Sequence, residues 1–465
     1  MNAAHTVVIG AGMAGLLTAA ALGEAGRTVT VLEQDQDLPG RRPHRDSDQS
    51  APTPGPRAGV PQGRQPHVLL HRGLCAIEEL LPGLRAQLVA AGGVPLDTGN
   101  LAWLGQQGWA PFGTPAFELV SATRPLVEHV VRRRVTALPG VSLLSGVRVR
   151  GLSRAPSGDG WLVEQTDGPP LCADLVVDAS GRASRLPRWL TLLGYDEVPT
   201  ASVDARFGYA GRVYSAPADV LGRVAGIVVL PTRDVPAGGV ALPVEGGRWL
   251  MAAVGAGAHR PPRDPEGFDG FLTRLRDPAL ADLAARARPL GEVAVHRRTG
   301  NVRHHYERLR NWPAGLLVAG DSLCAFNPVY GQGITVAAVQ ALLLRKSLAG
   351  GTAPGWEGRL LRRFARAADL PWTIATGEDL GHLDTARSPG GVAGLFGRWS
   401  GEVDRLAAHG DVRAQRMLDR VYHLMGSPTC LFDPRLVTSV IRGRLLGLPA
   451  PTPRPPLGIG LAPRP

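Results

Sequence analysis

Two segments of this sequence, each directly after an apolar run, combine glycines with an acidic residue in a way that suggests a binding site. The motif Gly-Ala-Gly-Met-Ala-Gly at residues 10–15 is followed by an Ala- and Leu-rich run, and Glu33 lies further along the chain. In the segment 320–333, Asp321 precedes a loop with one proline and two glycines. Free backbone N–H groups at a helix start attract an anion, and a carboxylate accepts hydrogen bonds from hydroxyl groups. Both segments are therefore candidates for binding a polar or electron-poor ligand.

The elements around the first motif predict a strand, a tight turn and a helix. Residues 6–9 are apolar, the helical pattern runs to Ala25, and a second strand pattern at 27–32 ends at Glu33. In such a turn the first glycine permits the bend, the second lets the backbone approach a pyrophosphate, and the third lets helix and strand pack. We therefore predict a dinucleotide site with a ribose contact at Glu33; the alternative is a glycine turn that only packs two elements. The predicted contacts within the turn are Gly10, Gly12, Met13, Ala14 and Gly15.

Two further polar residues lie at the ends of predicted elements: Asp178 at the end of a strand and Arg124 at the start of a helix. An apolar strand pattern ends at Asp178 in the sequence Asp-Ala-Ser-Gly, and open α/β sheets bind ligands at the carboxyl ends of their strands. Arg124 opens a helix pattern that runs to about residue 137, where its guanidinium could reach a phosphate. Each residue has a plain alternative: Asp178 caps an ordinary strand-end turn, and Arg124 forms a surface ion pair.

The pattern from residue 205 to 295 is mainly β, which predicts a second domain inserted into the first. Tyr209, Trp249 and Met251 lie on these strands and are candidates for lining a substrate pocket, although such residues are more often plain core. His67, which follows a Pro- and Gly-rich loop, is a fourth candidate; its alternative is a histidine satisfied by neighbouring backbone. No second Gly-x-Gly-x-x-Gly motif follows, so a separate Rossmann domain for NADPH is not expected.

Composition restricts the class of protein. The 465 residues carry a formal net charge of +11, but Lys346 is the only lysine and the arginines are spread along the chain, a pattern typical of GC-rich coding rather than nucleic-acid binding. The apolar runs are too short to cross a bilayer and the N-terminus has no signal-peptide pattern, so we expect a cytoplasmic protein. The 4 cysteines form no Cys-x-x-Cys pair, which indicates free thiols and no metal site.

The order of these signals resembles that of the flavin-dependent monooxygenases with the para-hydroxybenzoate hydroxylase type of fold. The shared signals are the glycine motif, Arg124, the Asp-Ala-Ser-Gly turn and the segment 320–333, and they cover most of residues 1–350. Longer stretches, including GVPQGRQPHVLL at 59–70 and GLLVAGDSLCAFNPVYGQG at 315–333, look like the olefin epoxidases of bacterial polyether biosynthesis.

This resemblance implies an α/β fold in which a Rossmann-like FAD-binding domain of the glutathione-reductase type carries an inserted, mainly β substrate domain and a C-terminal helical region. It implies that Glu33 and the glycine turn hold the ADP half of FAD, Arg124 the flavin chain and Asp321 the ribityl hydroxyls. The loop 328–333 would lie against the isoalloxazine ring, with Pro328 and Tyr330 bordering the oxygen-transfer site. The full set of implied cofactor contacts is Gly10, Gly12, Met13, Ala14, Gly15, Glu33, Arg124, Val149, Asp178, Gly320, Asp321, Pro328, Gly331, Gln332 and Gly333.

The resemblance further implies oxygen transfer from a flavin C4a-hydroperoxide, formed from O2 with electrons that NADPH or NADH supplies directly or through a separate flavin reductase. Epoxidation of an electron-rich alkene needs no base to ionise the substrate, whereas aromatic hydroxylation gains from one, and no residue of the sequence clearly has that role. We therefore expect epoxidation of a hydrophobic polyketide or terpenoid alkene. Aromatic hydroxylation within the same fold, and a flavin-dependent reductase or dehydrogenase, are the alternatives.

The same patterns predict the division of the chain. The proline-rich C-terminal residues cannot bury a core, so they predict a disordered tail. The predicted segments are 1–93, 121–200 and 296–350 for the FAD-binding domain, 94–120 and 201–295 for the substrate domain, 351–447 for the C-terminal helices, and 448–465 for the tail.

Overall fold

The computed structural model describes residues 4–36, 55–60, 62–67, 69–156, 158–217, 219–383 and 391–458, with 391–393 as backbone only. Of the Pro- and Gly-rich loop before His67, predicted over residues 35–66, residues 37–54 and 61 lie outside these ranges. The strands are β1 His5–Ile9, β2 Thr28–Glu33, β3 Val94–Asp97, β4 Leu101–Leu104, β5 Glu118–Ser121, β6 Val141–Ser145, β7 Val149–Arg154, β8 Trp161–Gln165, β9 Leu171–Ala173, β10 Leu175–Asp178, β11 Thr200–Val203, β12 Phe207–Ser215, β13 Gly226–Val229, β14 Ala237–Val244, β15 Arg248–Ala256, β16 Arg288–His296, β17 Asn301–His304, β18 Leu316–Val318 and β19 Cys324–Ala325. The helices are α1 Met13–Glu24, α2 His71–Leu80, α3 Leu84–Ala90, α4 Arg124–Thr136, α5 Leu186–Leu192, α6 Pro265–Leu272, α7 Ala279–Arg286, α8 Gly333–Ala349, α9 Trp356–Gly381, α10 Gly391–Ala408, α11 Val412–Tyr422 and α12 Pro434–Leu446.

A five-stranded parallel sheet forms the base of the molecule, in the order β18-β10-β1-β2-β6. Strands β1, β10 and β18 are short, mostly apolar and almost fully buried, as expected for a parallel sheet covered on both faces, whereas the edge strand β6 is partly exposed. Helix α1 packs between α4 and α8. Because parallel strands end at the same edge, the residues that follow β1, β2, β10 and β18 meet there. The predicted α/β fold with a Rossmann-like sheet is confirmed.

A second sheet of six strands has the order β16-β12-β15-β14-β13-β4, with β4 and β13 parallel and the other pairs antiparallel. Helices α6 and α7 pack on one face of it, where Phe268, Leu272 and Leu280 are fully buried. The opposite face lines a cavity. Alternate residues of each strand therefore belong either to the helix-covered core or to the cavity wall.

The C-terminal segment is mostly helical, and α10, α11 and α12 share a small core of their own. All 4 cysteines are free thiols, as predicted. Among the described residues, no helix combines the length and the apolar character that crossing a bilayer requires.

The tail prediction is wrong for residues 448–458, which pack against the body of the protein. Thr452 N donates to Ala408 O at 2.8 Å, Arg454 forms an ion pair with Asp277 at 2.9 Å, and Leu457 packs on the core of the second sheet. Prolines restrict the unfolded backbone, so fewer contacts are needed to order such a segment. The remaining predicted tail residues, 459–465, lie outside the described residues.

Candidate cofactor and substrate site

The glycine turn between β1 and α1 has the geometry that its sequence predicts. Gly10 has φ +99°, and a Cβ atom at Gly15 would lie 1.8 Å from Gly10 O, so neither position accepts a larger residue. Gly12 faces open space, since a Cβ there would meet no atom within 4 Å, and α1 has no side-chain N-cap. The turn therefore presents free backbone N–H groups to an open space beside the sheet edge.

Glu33 lies at the end of β2 but is already engaged within the protein. Its carboxylate accepts from Ala11 N at 2.8 Å and from Asp35 N at 3.1 Å, and it lies 3.2 Å from Arg57 Nη1. Glu33 thereby holds the glycine turn against β2. Whether it also contacts a ribose stays a prediction.

Arg57 is a buried residue that the sequence reasoning missed. Besides Glu33, its guanidinium contacts Asp35 at 2.9 Å and Glu128 at 3.0 Å, and Nη2 donates to Ala11 O at 3.2 Å. Burial alone would lower the pKa of Arg57, but the Glu128 and Glu33 carboxylates raise it above its usual value. A basic residue in a Pro- and Gly-rich loop gives no sequence signal for such a position.

The segment after β18 lies directly against the glycine turn. A Cβ atom at Gly320 would be 2.4 Å from Ala14 Cβ, so the two predicted motifs touch each other. The Asp321 carboxylate has no hydrogen-bond partner among the described residues, and burial raises its pKa although Arg182 and Arg124 act in the opposite direction. Gln332 is buried, and both polar atoms of its amide lack a partner. This edge of the sheet therefore holds polar groups that the protein itself leaves unsatisfied.

Asp178, at the end of β10, is engaged within the protein. Its carboxylate is fully buried and accepts hydrogen bonds from the hydroxyls of Ser180 at 2.6 Å, of Ser184, and of Ser322 at 3.4 Å. Burial raises the pKa of Asp178, and these donors offset part of the increase. This geometry is that of the strand-end turn given as the alternative, in which Asp178 positions the loop. A cofactor contact of Asp178 stays a prediction.

Arg124 and Val149 are each the first residue of an element, α4 and β7 respectively. Arg124 is at the first turn of α4 and forms an ion pair with Glu128 at 2.8 Å, as its alternative predicted, although this pair is mostly buried. Val149 begins β7, and Val147 N donates to Glu33 O at 2.8 Å. The strand therefore starts beside the end of β2, and a cofactor contact of either residue stays a prediction.

A cavity of about 1180 Å³, counting its open mouth, lies between the second sheet and the loop 328–331. Its lining includes His67 and Tyr209, two of the candidates for the substrate pocket. Pro328 and Gly331 of the predicted flavin loop line it as well. The burial of His67 and the charge of Arg124 lower the pKa of this histidine to about 3, so its imidazole is neutral near pH 7.

Trp249 and Met251 do not line the cavity, and their assignment to a substrate pocket is wrong. Both are buried in the core that α6 and α7 cover, while Ala252 and Val254 of the same strand line the cavity. Side chains of a strand alternate between its faces, and β15 is buried on both, so its hydrophobicity alone does not identify the pocket face.

Tyr330 is not among the cavity-lining residues either. Its hydroxyl donates to Asp379 of α9 at 2.8 Å, and Asp379 also accepts from Asn327 at 2.9 Å and from Asn301 at 2.7 Å. Tyr209 O–H completes this buried network by donating to Asn327 at 2.7 Å. Tyr330 therefore anchors the loop that carries Pro328 rather than bordering the cavity.

Much of the cavity wall comes from residues that the sequence reasoning missed. Val240 and Leu242 of β14 line it, but the strand reads Val-Ala-Leu there, without the polar alternation that would signal which face meets the cavity. The C-terminal contribution has no such signal, because it depends on where α11 folds back. The missed lining residues include Thr98, Leu101, Trp103, Leu119, Val240, Leu242, His296, Tyr422 and His423.

Comparison with known proteins gives three kinds of likeness. Residues 8–67 match the family model described as an NAD(P)-binding Rossmann-like domain. The chain is 31% identical over 454 residues to Protein Rv3254 of Mycobacterium tuberculosis (strain ATCC 25618 / H37Rv). This alignment covers 91% of this chain and 92% of that protein.

Two solved structures illustrate the third kind. PqsL, described as a probable FAD-dependent monooxygenase from Pseudomonas aeruginosa, aligns with a TM-score of 0.57 and 17% identity over 82% of this chain and 98% of its own. OxyS, an anhydrotetracycline hydroxylase from Streptomyces rimosus, aligns with a TM-score of 0.57 and 19% identity over 91% of this chain and 76% of its own. At these identities the likeness shows the fold alone, which is that of flavin-dependent monooxygenases and hydroxylases.

Proposed function

Because this chain belongs to the same protein family as Rv3254 and has the fold of flavin-dependent monooxygenases, we propose that it is an FAD-dependent monooxygenase. Its proposed reaction is the transfer of one oxygen atom from O2 to an alkene of a neutral, hydrophobic molecule such as a polyketide or terpenoid, which forms an epoxide. The observation that carries this proposal is a large apolar cavity whose wall includes Pro328 and Gly331 of the predicted flavin loop.

The residues at the sheet edge fit FAD on three counts. The space beside Gly12 is open, at the start of a helix that lacks a side-chain cap. The Asp321 carboxylate is free to accept from ribityl hydroxyls, and the buried Gln332 amide has unused donor and acceptor capacity for the edge of a flavin ring. When bound, FAD would supply the redox chemistry that activates O2, which no amino-acid side chain provides.

The chain's own residues would bind, orient and shield the reactants. Gly12 would face the pyrophosphate, and Asp321 the ribityl chain. The network around Asp379 would hold the loop that carries Pro328 in place, since Asn327 and Tyr330 both bond to it. The apolar walls of the cavity would exclude water from the alkene.

Epoxidation is favoured over aromatic hydroxylation by the character of the cavity's polar groups. Among the described residues that line it, none is Asp, Glu, Lys or Arg. Burial lowers the pKa values of His67 and His423 to about 3, so both are poor bases for ionising a phenol at neutral pH. The second candidate is hydroxylation of an aromatic ring. The same cavity would suit it if the aromatic substrate reacts without prior ionisation.

The test begins with the purified protein as isolated. It should contain FAD, and NADPH or NADH, with and without a flavin reductase, should support incorporation of one ¹⁸O atom from ¹⁸O2 into a polyene, detected by mass spectrometry. Rapid reoxidation of the reduced flavin by O2 would argue against a reductase or dehydrogenase. A preparation that neither contains nor binds FAD would disprove the proposal.

A further inference from the structure

The cavity is apolar except for a few neutral polar groups, and three of these lie together at one place. Gln65, His67 and His296 all line the cavity. Gln65 and His296 are buried, and His67 is partly exposed. A group of polar atoms in an otherwise apolar wall is the usual source of specificity in a small-molecule site.

In each of the three side chains, one acceptor atom has no hydrogen-bond partner among the described residues. His67 Nδ1 lies 2.8 Å from Gln65 O and His296 Nε2 lies 3.0 Å from Arg298 O. Because a carbonyl oxygen can only accept, each of these nitrogens carries the proton, and the other nitrogen of each ring is an acceptor. Gln65 Nε2 donates to Ala294 O at 2.7 Å, which leaves Gln65 Oε1 buried without a donor.

The fold holds these acceptors close to one another and close to the predicted flavin loop. The hydrogen bond to Ala294 O holds Gln65 beside β16. Ala294 lies two residues before His296, so the two residues are on the same face of the strand. His296 pairs with Tyr209 of β12, and the Tyr209 hydroxyl donates to Asn327, which directly precedes Pro328. The acceptors therefore stand at the end of the cavity that the loop 328–331 closes.

We propose that Gln65, His67 and His296, here named the acceptor cluster, bind the hydroxyl groups of a neutral, otherwise apolar substrate and so select the carbon that faces residues 328–331. The proposal rests on the proposed function, because it takes that loop to border the reacting position. Burial and the charges of Arg124 on His67 and of Arg182 and Arg298 on His296 keep these rings neutral, but none of the three arginines is among the described residues that line the cavity. Three neutral acceptors in the wall therefore favour hydroxyl donors over a carboxylate or phosphate at this end.

The cluster would accept hydrogen bonds from a hydroxyl without removing its proton. Burial lowers the pKa values of both His67 and His296, so the two rings are neutral and weakly basic. A substrate hydroxyl bound there stays protonated, and its role is to position the molecule rather than to activate it.

The test compares two probes that differ in donor capacity: 2,3-dihydroxynaphthalene and 2,3-dimethoxynaphthalene. Dissociation constants are measured by equilibrium dialysis with the purified wild-type protein, with and without added FAD. The diol should bind more tightly than the ether, since each hydrogen bond to the cluster contributes about fivefold in affinity. Equal binding, or tighter binding of the ether, would overturn the proposal.

Variants identify the atoms responsible. His67→Phe and His296→Phe should each reduce the preference for the diol about fivefold, because each removes one acceptor. Leu242→Ala, which changes the apolar wall, should weaken both probes alike and leave the preference unchanged. An unchanged preference in both histidine variants would overturn the proposal; if one variant does not fold, the other decides.

Failure of this inference can be separated from failure of the proposed function. Bound FAD and ¹⁸O incorporation are measured on the same wild-type preparation. A protein that binds FAD but shows no preference for the diol retains the proposed function and loses the acceptor cluster. A protein that prefers the diol but binds no FAD retains the acceptor cluster as a hydroxyl-binding site and loses the proposed function.

Discussion

Asp178 and Asp321 follow neighbouring strands of the same parallel sheet, yet their surroundings differ. The carboxylate of Asp178 is surrounded by the hydroxyls of Ser180, Ser184 and Ser322, whereas that of Asp321 has no hydrogen-bond partner among the described residues. An apolar strand followed by Asp therefore predicts where a carboxylate lies but not what it binds. The donors supplied by the following residues decide whether it stabilises the fold or remains available to a ligand.

The largest expected effect is on stability, from Asp178→Ala. The substitution removes the buried acceptor that three serine hydroxyls share, so we expect the free energy of unfolding to fall by about 3 kcal/mol. Urea denaturation of the purified protein measures it. Ser180→Ala is the matched control and should cost about 1 kcal/mol, because it removes one of these donors. A loss below that of the control would show that Asp178 does not organise the turn.

The second prediction concerns the Asp379 carboxylate. Burial raises the pKa of Asp379 to about 6, even though Tyr330, Asn327 and Asn301 donate hydrogen bonds to it. Between about pH 4 and pH 6 the folded protein keeps a proton that the unfolded chain releases, so stability falls as pH rises.

This contribution should amount to about 1 kcal/mol per pH unit, or about 2 kcal/mol over the interval. Denaturation of the wild-type protein and of Asp379→Asn at several pH values measures it, and the variant should lack this part of the slope. Asp404 and Asp419, with pKa values of about 6, titrate in both proteins and cancel in the difference. Parallel pH profiles would contradict the prediction.

The smallest expected effect is on cofactor retention, from Asp321→Ala. Because its carboxylate has no hydrogen-bond partner among the residues that the structure describes, its loss should leave the stability of the FAD-free protein nearly unchanged. The affinity for FAD should fall about tenfold, as expected for lost hydrogen bonds to a charged acceptor. Flavin absorbance after dialysis measures retention. Full occupancy in the variant, or a stability loss like that of Asp178→Ala, would remove the distinction between the two carboxylates.

The sequence was sufficient for the parts of the fold that depend on local signals. The turn at 10–15 has glycines whose backbone roles follow from their spacing, and the residues at the ends of β2, β10 and β18 could be brought to one edge from strand order alone. The loop at 320–333 was placed correctly beside this turn. Its contact with α1 through Gly320 and Ala14 follows from the same topology.

The cavity could not be derived in the same way, because its walls come from strands and helices far apart in the chain. Trp249 and Met251 were placed on the wrong face because β15 is buried on both sides and shows no polar alternation. Arg57 was missed because its carboxylate partners, Glu33, Asp35 and Glu128, come together only after folding. The role of Tyr330 depended on Asp379, which no local pattern connects with it.

The wall formed by Tyr422 and His423 has a consequence for how the protein matures in the cell. The parallel sheet and the glycine turn lie within the first 318 residues, so a growing chain could assemble them while the ribosome is still translating the last helices. The cavity is complete only when α11 has emerged and docked. A translation product that stops before residue 422 would then keep the turn and the strand ends but lack a closed cavity, which would leave the predicted flavin loop open to water.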